Sequence, residues 1–95
     1  MLNFSYYHIE IGKSDITKEV VVKGEIVNDS DKFYATVAVR IILFKQNIIV
    51  ANVVFTVRAL PGKSTKAFEK TIEELDYLQV GKDINRYEIY TESAF

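Results

Sequence analysis

Val20-Val21-Val22-Lys23-Gly24-Glu25-Ile26-Val27-Asn28 is a β-branched run with a glycine at its middle, closed by the turn cluster Asn28-Asp29-Ser30-Asp31. β-branched side chains lose rotamer freedom on a helix and pack well on a pleated surface, so the run reads as a strand. Val20, Val22, Gly24 and Ile26 share one face. Val21, Lys23, Glu25 and Val27 share the other, and this mixed set is the expected solvent side. Gly24 takes a side chain out of the apolar face, which predicts a bulge or a close crossing by a large neighbour such as a tyrosine.

Working outward, Tyr34 to Lys45 alternates Ala35, Val37, Val39, Ile41 and Leu43 against Thr36, Ala38, Arg40, Ile42 and Phe44, the cleanest core signal in the chain. Ile48 to Leu60 follows after a short polar connection, with Ala51, Val53, Phe55 and Val57 as its inward set. Its length predicts a bend or a switch between sheets. Pro61-Gly62 is a turn in which proline presets φ and glycine accepts a positive φ. Ser64 to Ile72 then places Phe68 and Ile72 inward and Lys66, Glu69 and Lys70 outward, as an exposed edge strand should.

Before the opening stretch, Asn3 to Ile11 reads as an irregular strand with Phe4, Tyr7, Ile9 and Ile11 on one side. After it, residues 73–79 have helix-like composition for at most one turn before Gly81, and Asn85 to Thr91 forms the last strand, with residues 92–95 fraying. Six or seven short strands at turn-separated spacing give an all-β, immunoglobulin-like antiparallel sandwich. With 95 residues, 48% of them hydrophobic, the chain is one domain over residues 1–95.

Twelve basic and thirteen acidic residues give a net charge of −1, so no long-range attraction to nucleic acid or anionic membranes is built in. The absence of cysteine removes disulfides, thiolate chemistry and cysteine zinc sites together. Arg40, Lys45, Gln46, Asn47 and Asn52 interrupt the richest apolar region, which excludes membrane insertion by an apolar helix. The N-terminal residues lack a signal-peptide pattern. A cytoplasmic location is expected if the chain is complete, and the cell envelope if it is a domain of an exported protein.

The spacing of Gly24-x-Ile26-x-Asn28-x-Ser30, of Val37-x-Val39-x-Ile41-x-Leu43-Phe44 and of Leu60-Pro61-Gly62-Lys63-Ser64 with Phe68 resembles the FxLYD domain family over about residues 18–72. The name-giving motif is half kept: Leu43 matches, Ile41 stands in place of Phe, Phe44 of Tyr and Lys45 of Asp. The resemblance implies a small immunoglobulin-like sandwich of a kind found mostly in bacterial and archaeal proteins, often in exported modules of unknown role. The Gly-x-Ile-x-Asn pattern also resembles LEA14 or water-stress sandwiches. Neither family carries over a catalytic residue.

Residues with chemical potential resolve into structural roles. Gly12-Lys13-Ser14 and Gly62-Lys63-Ser64 echo the end of a phosphate loop, but Tyr7 and Val57 stand where its first glycine is needed. His8 is the sole histidine and reads as a half-exposed surface side chain. Asn28, Asp29 and Asp31 supply oxygen ligands but shape a turn. Glu73, Glu74 and Asp76 lack the desolvated cleft that paired acids require. Asn3-Phe4-Ser5 and Asn28-Asp29-Ser30 match the glycosylation pattern.

Six tyrosines cannot all point inward, and tyrosine favours recognition surfaces. With apolar outer residues added, Tyr6, Ile42, Phe44, Val54 and Tyr90 form the expected interaction surface. The chain therefore reads as a non-catalytic interaction, adhesion or scaffolding module without cofactor or metal, binding a protein partner or a second copy through a sheet face or edge. The alternative is a carbohydrate or small-ligand binding domain, in which two or three coplanar exposed aromatics stack beside polar partners such as Asn52 or Arg40.

Overall fold

The computed structural model describes residues 4–95. Six strands follow in the order β1 (Phe4–Lys13), β2 (Glu19–Asn28), β3 (Tyr34–Lys45), β4 (Ile48–Leu60), β5 (Ser64–Asp76) and β6 (Arg86–Ala94), with a 3-10 turn at Gly81–Asp83 before the last. All pairings are antiparallel, with β1-β2-β5 in one sheet and β4-β3-β6 in the other. The chain leaves the first sheet after β2, makes the β3–β4 hairpin, returns for β5 and crosses again for β6. This is an immunoglobulin-like sandwich. Its strands are not short: β4 and β5 have 13 residues each, against a common length of about 5–6.

The alternation of β2 and β3 defines the core. Val20, Val22 and Ile26 face Val37, Val39, Ile41 and Leu43, all fully buried, and Phe55 against Phe68, with ring centroids 5.2 Å apart, bridges the two halves. Val21 departs from the expected solvent side of β2, being 5% exposed. A Cβ on Gly24 would strike Ile9 Cδ1 and lie 2.8 Å from Phe68 Cζ, so the close neighbours are an isoleucine and a phenylalanine rather than a tyrosine. The bulge is in β1, opposite Gly24: the register steps from Tyr7↔Glu25 to Glu10↔Lys23, and His8 takes a left-handed φ of 56°. That extra residue reverses the phase of β1, so Phe4 and Tyr6 point inward before it and Ile9 and Ile11 after it.

β4 does not change sheets, because it pairs with β3 from Ile48 to Leu60, and its one break in that ladder is a bulge at Val50, where the register steps from Leu43↔Ala51 to Phe44↔Ile49. Residues 73–76 continue β5, and the single helical turn follows them, where the Val80 N–H donates to the Asp76 carbonyl at 2.9 Å. Ile72 and Leu75 have helical spacing, but a break in register between Val20↔Ile72 and Glu19↔Asp76 turns both inward. Two turns of isolated helix cannot offset the cost of helix nucleation, whereas this arrangement buries both side chains. The C-terminal residues are paired: Phe95 donates to the Thr36 carbonyl at 2.9 Å and accepts from Ala35 at 2.7 Å. At the β4–β5 turn the left-handed residue is Lys63, with φ of 53°, and not Gly62. Gly62 is needed because its backbone passes Asp31, whose carbonyl oxygen would lie 2.6 Å from an added Cβ.

Candidate interaction face

The outer face of the β4-β3-β6 sheet is built by the second alternation set of β3. Across it, Arg40 lies between Val54 and Tyr90, and Ile42 lies between Asn52 and Glu88. Directly opposite residues share a face, so Val54, Arg40 and Tyr90 form one rank with Ile42 in the next. Val54 and Tyr90 are 44% and 45% exposed.

Arg40 is clamped at the centre, donating from Nε to Glu92 and from Nη1 to Asn52 Oδ1. The bond to Glu92 raises the Arg40 pKa above its ordinary value, so the cation is fixed at every working pH.

Of the five residues expected on one surface, Ile42, Val54 and Tyr90 come together here. Phe44 points the same way but is only 6% exposed, with the Arg86 guanidinium 3.8 Å above its ring. Tyr6 belongs to the other sheet and points inward, where its hydroxyl lies 2.5 Å from Thr91 Oγ1. Burial raises the Tyr6 pKa, against the opposing effect of that hydrogen bond. The phase reversal at the β1 bulge is the reason: it turns Tyr6 in and leaves Tyr7 out, 51% exposed.

The remaining candidates fall apart in space or serve the fold. Asn28 is fully buried, and its Nδ2 donates to the carbonyls of Lys32 at 2.8 Å, Pro61 at 3.0 Å and Leu60 at 3.4 Å. Its Oδ1 accepts from the Ser30 N–H at 3.0 Å and from Ser30 Oγ at 2.7 Å. The side chain thus ties the β2–β3 loop to the end of β4 and has no group left for a metal or a glycan. Of the other glycosylation match, Asn3 lies outside the described residues. His8 is more exposed than expected, with Nδ1 2.6 Å from Glu25 Oε1.

Asp76 Oδ1 accepts from the N–H groups of Leu78 and Gln79, holding the turn after β5. Lys13 and Ser14 of the Gly12-Lys13-Ser14 turn border a groove of about 90 Å³ beside Ile16, Val21 and Lys23. Small-molecule pockets commonly run to about 300–1,000 Å³. Among the described residues no three His, Asp or Glu side chains converge on a metal-sized site, and no helix is long and apolar enough to cross a membrane.

The sequence reading misses the role of Glu92 and the burial of Asn28. Glu92 falls in the expected fraying tail, although continuing the β6 alternation from Tyr90 puts it on the outer face beside Arg40. Asn28 has the same parity as Val20, Val22 and Ile26, which was the available signal that it faces the core. No protein family, curated protein or solved structure matches this chain.

Proposed function

We propose that this domain is a non-catalytic interaction module whose working surface is the outer face of the β4-β3-β6 sheet. The observation that carries the reading is the rank Val54, Arg40, Tyr90 with Ile42 beside it: apolar contact area around a fixed cation, rimmed by Asn52, Glu88 and Glu92. Interfaces are enriched in Tyr and Arg at their centres and polar at their rims, and a protein partner fits this composition. The carbohydrate reading needs two or three coplanar aromatics. On this face Tyr90 is exposed and Phe44 is covered by Arg86.

We also propose membership of the FxLYD family. In its favour, Gly24, Asn28 and Gly62 of the shared pattern hold places where β1, β5 and the two loops around Asp31 and Pro61 meet β2. These are scaffold positions, so the reading of function rests on the face.

The test is to place a photo-reactive side chain at Tyr90, identify the cross-linked protein in lysate, and measure its affinity as a purified pair with the Ile42→Glu and Tyr90→Ala variants. A loss of about tenfold or more in either variant, with unchanged circular dichroism, is the expected result. Unchanged affinity in both removes this face as the working surface.

A further inference from the structure

The sandwich has four edge strands, and three of them are guarded. β1 carries the bulge at His8 together with Glu10 and Lys13. β5 carries Lys66, Glu69, Lys70, Glu73 and Glu74, and β6 carries Arg86, Glu88 and Glu92. Charges and bulges are the devices that stop a sheet edge from pairing with another chain. β4 has a bulge at Val50, where its register steps from Leu43↔Ala51 to Phe44↔Ile49, and a left-handed φ of 55° at Ala59, but no bulge or charge interrupts Ala51-Asn52-Val53-Val54-Phe55-Thr56-Val57 between them, and no charge, proline or glycine occurs from Ile48 to Val57. Among the described residues its ladder partner is β3 alone.

The backbone groups on that bare edge can be assigned. Thr36, opposite Arg58, exchanges its N–H and carbonyl with Phe95 on the β6 side, so Arg58 points its own groups away from β3. Consistent with this, the Arg58 carbonyl accepts from Lys66 Nζ, which covers that end of the edge. By the alternation of an antiparallel ladder, Asn52, Val54 and Thr56 also direct N–H and C=O outward.

We propose that this edge pairs with the same edge of a second copy, antiparallel, about a two-fold axis at Val54. The proposal rests on reading the β4-β3-β6 sheet as the interaction surface and names the partner as another copy of this chain. In this register Val54 meets Val54 of the second copy and Asn52 meets Thr56 on the outer face, while Val53 meets Phe55 and Ala51 meets Val57 on the inner. Apolar therefore lies on apolar and polar on polar. About six backbone hydrogen bonds form, within the range of an ordinary interface. The two Arg40 side chains lie three strand spacings apart, about 14 Å, each already paired with Glu92, so like charge does not oppose the contact.

The chain has no cysteine, which makes the test clean. Directly opposed residues of a hydrogen-bonded pair have Cα atoms about 5.5 Å apart, inside the disulfide range of about 4.4–6.8 Å. Under mild oxidation Val54→Cys is expected to give a covalent dimer at least about tenfold faster than Ile48→Cys, an exposed position that the register keeps from its own copy. Asn52→Cys and Thr56→Cys are expected to cross-link when mixed and not alone. The unmodified chain is expected to have the mass of a dimer in solution, and Val54→Lys that of a monomer with the same circular dichroism.

Equal rates for Val54→Cys and Ile48→Cys, or efficient cross-linking of Asn52→Cys with itself, would overturn the edge pairing. Either result would leave the face reading standing, since that depends on the response of a heterologous partner to Ile42→Glu and Tyr90→Ala.

Discussion

Replacing Asn28 separates the two ways in which this side chain can matter. It is fully buried and makes two bonds to Ser30 and two good bonds to the Lys32 and Pro61 carbonyls, with a longer one to Leu60. At about 1 kcal/mol for each of the four good bonds, Asn28→Ala should cost roughly 3–4 kcal/mol. A chain of 95 residues has a total stability of about 5–14 kcal/mol, so the variant folds but melts roughly 15–30 °C lower.

Asn28→Asp adds a sign that alanine lacks. The introduced carboxyl faces three carbonyl oxygens without solvent, and its pKa in the folded chain is raised above the unfolded value of about 3.9. The folded state then binds more protons between the two pKa values, so stability falls as pH rises through that window and is greatest below it. Urea unfolding followed by tyrosine fluorescence should place Asn28→Asp below Asn28→Ala at pH 7. Relative to the unsubstituted chain, it should recover as pH is lowered to about 4. A loss under about 1 kcal/mol for alanine, or a pH-independent deficit for aspartate, would refute the assignment of Asn28 as the tie between β2 and the end of β4.

Gly24→Ala should destabilise by about 1–3 kcal/mol through contact with Ile9 and Phe68, and Ile9→Val in the same chain should return part of that loss, measured by thermal unfolding. Tyr6→Phe should cost about 1 kcal/mol by removing the hydroxyl bonded to Thr91. Because burial raises the Tyr6 pKa above 10.0, the folded state holds that proton longer than the unfolded one, and the associated stability is lost as pH rises through the raised value. Tyr6→Phe should therefore flatten the alkaline fall in stability, measured by urea unfolding across the alkaline range.

The strands that read cleanly were those whose two faces differ, because a period of two is visible only when burial is one-sided. Val37, Val39, Ile41 and Leu43 announce their direction. β1 could not be phased from sequence, since Phe4, Tyr6, Tyr7, Ile9 and Ile11 are all acceptable inside and the bulge at His8 leaves no compositional trace. Residues 73–79 looked helical for the complementary reason: a break in strand register and a helical turn both bring residues three apart to one side, here Ile72 and Leu75. The interaction face was legible for Ile42, Val54 and Tyr90, whose outward parity follows from their strands. It failed for Phe44, where coverage by Arg86 comes from a strand 42 positions later, and for Tyr6, which inherited the error in β1.

An unguarded edge usually threatens open-ended aggregation, so its tolerance in β4 calls for a limit on what it can recruit. Two features of the sandwich supply one. Lys66 occupies the Arg58 carbonyl, which restricts the usable groups to Asn52, Val54 and Thr56. A two-fold contact through those residues consumes the same edge in both copies and leaves none to extend it, the closed alternative to a head-to-tail fibre. The joined sheet then ends on β6 of each copy, where Arg86, Glu88 and Glu92 oppose further pairing. Association should therefore stop at two chains as concentration rises. In the pair, the Ile42, Val54 and Tyr90 patches of both copies lie on one continuous face, doubling the surface offered to a partner and letting two weak contacts act together.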